Sequence, residues 1–553
     1  MTGPVAEPQS RPAAAGGPDV LGLLMLAFQG RELPAPFAAR LRASPAAGVT
    51  LFRHFNVESP AQVRELTAAL QRAAGSGVSG RRDGMAAPPP LLVAADQEGG
   101  QLQGLGDGLT PFAGNMALGA AGDEDLAERV ARATGLELRA VGVNVSYSPC
   151  VDLATNPDNP AIGIRSFGDD PALVSRLAAA TVRGLRSAGV AATAKHFPGL
   201  GDLAVDSHAA LGVVRHDRAR LDAVELPPFR AAFDAGADLV MSAHIGVPAL
   251  TGDSSVPATL SRRVMHDLLR DSLGFRGLSI TDALDMRAIP QGPAQAAAVV
   301  AALRAGVDLL LCAPDEEARQ RIEAALLEAW ASGGVDRGAV ADSLARQRAL
   351  RLRLAGFSQP DLDVVGSAGH LELARELARR SITLVRNEAG LLPLRLPADA
   401  RVAAIMPRPR DLTPADTSST VPPMLADALR ARHPNVQSFV TGNPPSDAEI
   451  AELRAAAAAF DLLIVGTISA SLDPQQARLV DALLDTEVPV VTVALRTPFD
   501  LAAFPAARTH LCTYGILRPS LDALADALWG VAPTTGRLTA PIPGLYPGGH
   551  GAA

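Results

Sequence analysis

The sequence predicts an α/β protein in which a (β/α)8 barrel of the TIM type is followed by a smaller doubly wound α/β domain. Three observations carry this. Eight short apolar runs alternate with helical patterns between residue 20 and about 330, the alternation pauses near 332–360, and a second set of apolar runs and helices follows. At 553 residues the chain exceeds one ordinary domain.

The barrel strands are expected at 21–28, 49–52, 91–96, 141–147, 190–195, 239–244, 278–282 and 307–312. Between them lie helical patterns at 60–74, 124–140, 171–188, 219–235, 261–273, 294–305 and 316–331. Several carry start and stop signals. Asp169-Asp170-Pro171 opens one helix, and Ala188-Gly189 and Ala305-Gly306 each close one. Domain boundaries are expected as a disordered tail at 1–18, the barrel at 19–335, a helical linker at 336–368 and the second domain at 369–553. That second domain should open with a helix running into a strand that ends at Val385-Arg386-Asn387. Further strands are expected at 402–406, 462–467 and 488–495, with helices at 447–460, 475–484 and 521–529.

Composition narrows the function classes. A net charge of −8 and only 4% aromatic residues argue against nucleic-acid and membrane-surface binding. The three cysteines, Cys150, Cys312 and Cys512, are far apart and odd in number, so neither a disulfide framework nor a zinc spacing is read from them. The Pro- and Ala-rich start lacks a basic segment leading into an apolar one, which sets the expectation of a cytoplasmic protein. No apolar run approaches the roughly 20 residues of a spanning helix. No cofactor is called for.

Chemistry concentrates between Lys195 and His208, where the fifth strand opens into a loop reading Lys195-His196-Phe197-Pro198-Gly199 and then Asp206-Ser207-His208. In extended chain, residues i and i+2 point the same way, so Asp206 reaches the ring of His208 while Ser207 faces away. A carboxylate holding one ring nitrogen makes the imidazole a proton shuttle near neutral pH. The outgoing ends of other strands are also polar: Asp96-Gln97-Glu98-Gly99-Gly100 after the third, His244 after the sixth, Thr281-Asp282 after the seventh. The loop after the fourth strand adds Ile164-Arg165-Ser166-Phe167-Gly168. Barrel enzymes place their sites at this pole.

Asp96 to Gly100, Ile164 to Gly168, Lys195 to Gly199, Asp206 to His208 and Thr281-Asp282-Ala283-Leu284-Asp285-Met286 are five motifs which in this order, with Arg379 to Asn387 opening the second domain, resemble the glycoside hydrolase family 3 β-N-acetylhexosaminidases, including the bacterial group named NagZ. The resemblance implies a retaining, exo-acting β-N-acetylglucosaminidase. Asp282 would be the nucleophile, His208 the acid/base and Asp206 its partner. Asp96, Arg165, Lys195 and His196 would hold the sugar hydroxyls. The implied partner is a small carbohydrate, a wall-derived muropeptide or a chitin-type oligosaccharide, with no nucleic acid, membrane or metal. Gln101 and Gly104 depart from the pattern, standing where relatives carry Arg. The alternatives are a β-N-acetylglucosaminide phosphorylase, another β-glycosidase such as a β-glucosidase, and a non-catalytic sugar-binding homologue. A metal hydrolase would have to use Asp96, His196, His244 and Asp282. A nucleotide role for the second domain rests only on its fold and turns such as Val465-Gly466-Thr467.

Overall fold

The computed structural model describes residues 19–75, 89–206 and 208–552. The tail expected at 1–18 and the orientation expected for Ser207 lie outside the described residues. Eight parallel strands form the first sheet: β1 (Leu24–Leu26), β2 (Gly48–Thr50), β3 (Leu92–Ala95), β4 (Val145–Ser146), β5 (Ala191–Phe197), β6 (Leu239–Ser242), β7 (Leu278–Thr281) and β8 (Leu310–Leu311). They are hydrogen-bonded in the order β7-β6-β5-β4-β3-β2-β1-β8, and a bridge between Ile280 and Leu309 brings the two ends together. Each strand reads as a nearly continuous apolar run because both faces are covered. Alternate residues (Met25, Leu92, Ala94, Met241, Ile280, Leu311) fill the interior, and their neighbours (Leu24, Val93, Val240) pack under the helices. All eight expected strands are present, seven of them shorter than expected, whereas β5 runs two residues past its expected end to Phe197.

Helices start where the side chains dictate. Asp123, Asp170 and Asp315 accept the N–H groups of Leu126, Ala172 and Ala318 as N-caps of helices Glu124–Ala140, Pro171–Ser187 and Glu316–Ala331. Two segments depart from the expected α-helix. The one expected at 261–273 is π-helical over Arg263–Ser272, and the one at 219–235 contains a π turn at Leu221–Glu225 before the α-helix Leu226–Asp234. A helix at Arg337–Ala355, in the segment expected to link the domains, lies across the N-terminal pole of the barrel. Leu350 and Leu354 are buried against the barrel interior, and Gln347 Nε2 donates to the Gly22 carbonyl at 2.8 Å.

The second sheet has six strands: β9 (Thr383–Asn387), β10 (Val402–Pro407), β11 (Val436–Thr441), β12 (Leu462–Thr467), β13 (Val490–Ala494) and β14 (Thr509–Cys512), ordered β9-β14-β13-β12-β10-β11. Only β9 is antiparallel. The order is doubly wound, reversing between β10 and β12. Strands β11 and β14 were not anticipated. The first lies at a sheet edge and buries only its end residues, Val436 and Thr441, and the second carries a buried His510 amid Thr and Cys.

The domains meet on the barrel's C-terminal side. A short hairpin, Gln97–Gly99 with Leu102–Gln103, follows β3, and Thr417 of the second domain brackets it. Thr417 N–H donates to the Gln101 carbonyl at 2.8 Å, and Thr417 Oγ1 accepts from Gln103 N–H at 3.1 Å. Beside it Asp416 and Arg496 form a buried ion pair at 2.7 Å. Leu412, Ser469 and Arg496, around the reversal point of the second sheet, face Ile162 and Gly163 of the barrel across a cavity of about 10 Å3, room for roughly one water.

Candidate active site

The loops leaving β3, β4, β5 and β7 converge. Glu98, in the hairpin after β3, is buried and holds the centre: Arg165 donates to it through Nε at 3.0 Å and Nη2 at 2.9 Å, and Lys195 Nζ lies 2.6 Å from Oε1. Lys195 also reaches Asp96 Oδ1 at 2.5 Å. Two cations thus share two carboxylates, with three of the four side chains buried. Burial alone would raise the Glu98 carboxyl, but the charges of Arg165 and Lys195 and their hydrogen bonds bring it from 4.5 down to about 2. Asp96 and Glu98 in turn keep Lys195 protonated against its burial.

His196 is oriented from both sides. Its Nδ1 is 2.7 Å from Asp152 Oδ2, and its Nε2 is 3.3 Å from Arg165 Nη2. Arginine only donates, so Nε2 accepts and Nδ1 carries the proton. Asp152 also accepts the N–H groups of His196 at 3.0 Å and Leu200 at 2.8 Å, which ties the β5 loop to the β4 loop.

The loop that carries His208 packs through Gly201, where an added Cβ would come within 1.8 Å of the Leu153 carbonyl oxygen. Asp206 and His208 do meet, at 2.8 Å between Oδ1 and Nδ1. The reason differs from the extended geometry expected from sequence. The segment turns, with Ala209 N–H donating to the Asp206 carbonyl, and Asp206 Oδ1 caps the turn by accepting His208 N–H at 2.9 Å. The His208 side chain is 29% exposed, so its other nitrogen is open to a ligand. Burial pulls the ring's pKa down, but the hydrogen bond to Asp206 and the charges of Asp282 and Asp206 outweigh it and raise it above 6.5. Asp282 follows β7, with its Oδ1 accepting Ala283 N–H at 2.8 Å. Burial would raise its carboxyl, but His196, His244, His208 and the Ala283 N–H hold it below the usual range.

All seven site residues expected from sequence therefore lie at one pole. Two participants were not singled out as site residues, and a third, His244, was named only as a strand-end residue and a metal ligand. Glu98 sits two positions from Asp96 in the same motif. Asp152 is a lone carboxylate in the apolar run 150–154. His244, at the end of β6, bonds Thr259 Oγ1 at 2.8 Å and donates from Nε2 to the Ala283 carbonyl at 3.2 Å. The donor set fits hydrogen bonding better than metal binding. Of the suggested metal ligands, Asp96 is engaged by Lys195, His196 by Asp152 and Arg165, and His244 by Thr259 and Ala283. In the tight cluster of Cys150, Asp152 and His196, burial holds the thiol protonated, and Asp152 is already filled with donors. Gly104, one of the two departures, approaches Asp96 so closely that a Cβ would lie 2.5 Å from its carbonyl oxygen, and no larger residue fits this backbone.

Residues 34–350 match the model of the glycosyl hydrolase family 3 N-terminal domain, and residues 382–545 that of the family's C-terminal domain. The chain belongs to glycoside hydrolase family 3. A solved family 3 β-N-acetylglucosaminidase from Paenibacillus sp. str. FPU-7 superposes with a TM-score of 0.88 at 36% identity, covering 95% of this chain and 98% of that one. Beta-hexosaminidase A of Pseudoalteromonas piscicida is 36% identical over 398 residues, which are 68% of this chain and 65% of that protein. A beta-hexosaminidase of Stenotrophomonas maltophilia (strain K279a) is 37% identical over 328 residues, 58% of this chain but 92% of that protein, so its length leaves no room for a comparable second domain. The family 3 chain is thus a glycoside hydrolase with a barrel and an α/β domain. No helix among its described residues is long and apolar enough to cross a membrane.

Proposed function

We propose that the protein is a retaining, exo-acting β-N-acetylglucosaminidase. The observation that carries the reading is that the loops after β5 and β7 bring the Asp206–His208 pair, 2.8 Å between Oδ1 and Nδ1, and the Asp282 carboxylate to one pole of the barrel. The relatives named above supply the sugar class. Asp282 attacks the anomeric carbon while protonated His208 gives its Nε2 proton to the departing oxygen. A glycosyl ester on Asp282 results. His208, now neutral, then takes a proton from water as it attacks, which releases the sugar with retained configuration. Asp96, Arg165, Lys195 and His196 hold the ring hydroxyls through charged hydrogen bonds, with Glu98 and Asp152 fixing their geometry.

Two measurements test the acid. His208→Ala should lower turnover of glycosides with poor alkyl leaving groups by about 10²- to 10⁴-fold while sparing activated aryl glycosides, because only the former need the proton. Equal losses on both would remove His208 from the role. The first step needs the protonated ring, so kcat/KM for a poor leaving group should hold below the raised pKa of His208 and fall as pH rises through it. Asp206→Asn removes the leading group that raises this pKa and should move the alkaline limb to lower pH. A limb that stays in place makes Asp206 a loop-capping residue only.

A second reading, transfer of the sugar to inorganic phosphate, is favoured by the same feature. An imidazole, neutral once it has given up its proton, does not repel an incoming anion as a carboxylate would. Reactions in phosphate and in a non-nucleophilic buffer of equal ionic strength should then differ by the appearance of N-acetylglucosamine 1-phosphate in the phosphorus NMR spectrum. Free sugar alone at high phosphate leaves hydrolysis as the sole reaction.

A further inference from the structure

The loop that carries His208 contains a second carboxylate–imidazole pair, to which the chemistry above gives no part. Asp202 Oδ2 lies 2.7 Å from His216 Nε2. A carboxylate only accepts, so Nε2 of His216 carries the hydrogen. The two residues stand 14 positions apart, on the incoming and outgoing stems of the loop, and Asp206 and His208 lie between them.

Each stem is anchored to a different part of the barrel. On the incoming side, Asn159 Nδ2 donates to the Leu200 and Gly201 carbonyls, both at 3.0 Å, and Asn156 Nδ2 donates to the Asp202 carbonyl at 3.1 Å. Thr155 Oγ1 donates to Asp202 Oδ1 at 3.3 Å. These partners all belong to the loop after β4. On the outgoing side, Gly212–Val213 pairs in parallel with Ile245–Gly246, just past β6, and Val214 N–H donates to the Gly246 carbonyl at 2.9 Å. The stems meet through the Asp202–His216 bond and through Leu203, which packs so closely on Gly212 that an added Cβ would lie 2.8 Å from its Cδ1.

Between the stems the tether is slight. Ala209 and Ala210 N–H turn back on the Asp206 carbonyl at 2.9 and 3.2 Å, within the loop itself. From outside it, Arg287 N–H reaches the His208 carbonyl at 3.4 Å, beyond the usual length of a hydrogen bond. Where His208 stands relative to Asp282 therefore depends on how the stems are held together, since joining them shortens the free loop and the range it explores. A reacting group misplaced by about 1 Å can lose about 10²-fold in rate. The side chains of His216 and Asp202 are 30% and 35% exposed, so their bond adds little to stability.

We infer that Asp202 and His216 are positioning residues for His208: their bond joins the β4 side of the loop to its β6 side and holds the acid/base ring in line with the departing oxygen. The role rests on the acid/base function proposed for His208.

The test is to measure kcat/KM of the full chain and its variants on an alkyl and an activated aryl N-acetylglucosaminide. His216→Leu should lower the value for the alkyl substrate at least about tenfold and that for the aryl substrate less than about twofold, the pattern of a misplaced acid and not of a loosened fold. Asp202→Ala should do the same, and the double variant should be no worse than either single one, because both remove the same bond. His216→Gln, which puts an amide N–H donor where Nε2 stands, should recover most of the loss. Thermal midpoints of the single variants should stay close to that of the wild type. His208→Ala is measured alongside. If it discriminates between the substrates and His216→Leu does not, or if His216→Gln fails to restore the alkyl substrate, the positioning role is overturned alone. If His208→Ala itself lowers both substrates equally, the acid/base assignment falls and the positioning role with it.

Discussion

Asp282→Asn is expected to lower kcat by about 10⁴-fold or more on every substrate, activated or not, since it removes the group that forms the covalent bond. The amide keeps the shape of the carboxylate and its acceptor for Ala283 N–H, so the variant should fold and still bind sugar. The same substitution removes one of the charges that raise the pKa of His208, so that ring should titrate lower by NMR. A 2-fluoro sugar bearing a good leaving group should accumulate on the wild-type enzyme, and peptide mapping should find it on Asp282. Label on any other carboxylate overturns the assignment. Sugar binding that persists in the variant, with no turnover ever detected in the wild type, would favour a non-catalytic sugar-binding protein.

Glu98→Gln should have the largest effect on stability of any single change at the site. Glu98 is the carboxylate common to Arg165 and Lys195, and its replacement leaves Arg165 a buried cation without a counter-charge. Removing one partner of such a buried group costs about 3–5 kcal/mol. The depression of the Glu98 pKa from 4.5 to about 2 corresponds to about 3 kcal/mol, a concordant figure. Because the folded pKa is the lower one, this stabilisation is complete above 4.5 and is lost as pH falls through about 2. Urea unfolding should therefore show the gap between wild type and variant at pH 7, and the gap should narrow in strong acid. A gap below about 1 kcal/mol at pH 7 would mean that water already screens the pair. Since Arg165 loses its brace, KM should rise as well.

The barrel was legible because its strands are apolar on both faces and because Asp170 before Pro171 marks a helix start that the structure keeps. The edge strand β11 was not, since Val436–Thr441 turns polar side chains to solvent and reads as a loop. In the site, residues standing at strand ends could be found one by one. Their partners could not. The bonds from Asp152 to His196 and from Glu98 to Lys195 span 44 and 97 positions in the chain, and only the closing of the sheet brings them together. The proximity of Asp206 and His208 was anticipated on the wrong backbone, because a carboxylate can cap a turn as readily as it can project from a strand.

Thr417, bracketing the Gln101 turn from the second domain, bears on how the chain can be divided. Doubly wound domains usually take a cofactor or a nucleotide where their strand order reverses. Here that crevice is given over to the neighbouring barrel, whose loops at Gln101 and Gly163 occupy it and carry Glu98 and Arg165 on either side. An excised barrel would leave the Gln101 carbonyl and the Gln103 N–H to water, at the hinge of the hairpin that presents Glu98. Cutting between the domains therefore falls at a place that is a boundary in the sequence and a brace of the Glu98 hairpin in the folded protein. This chain thus braces the hairpin that presents Glu98 from a second fold.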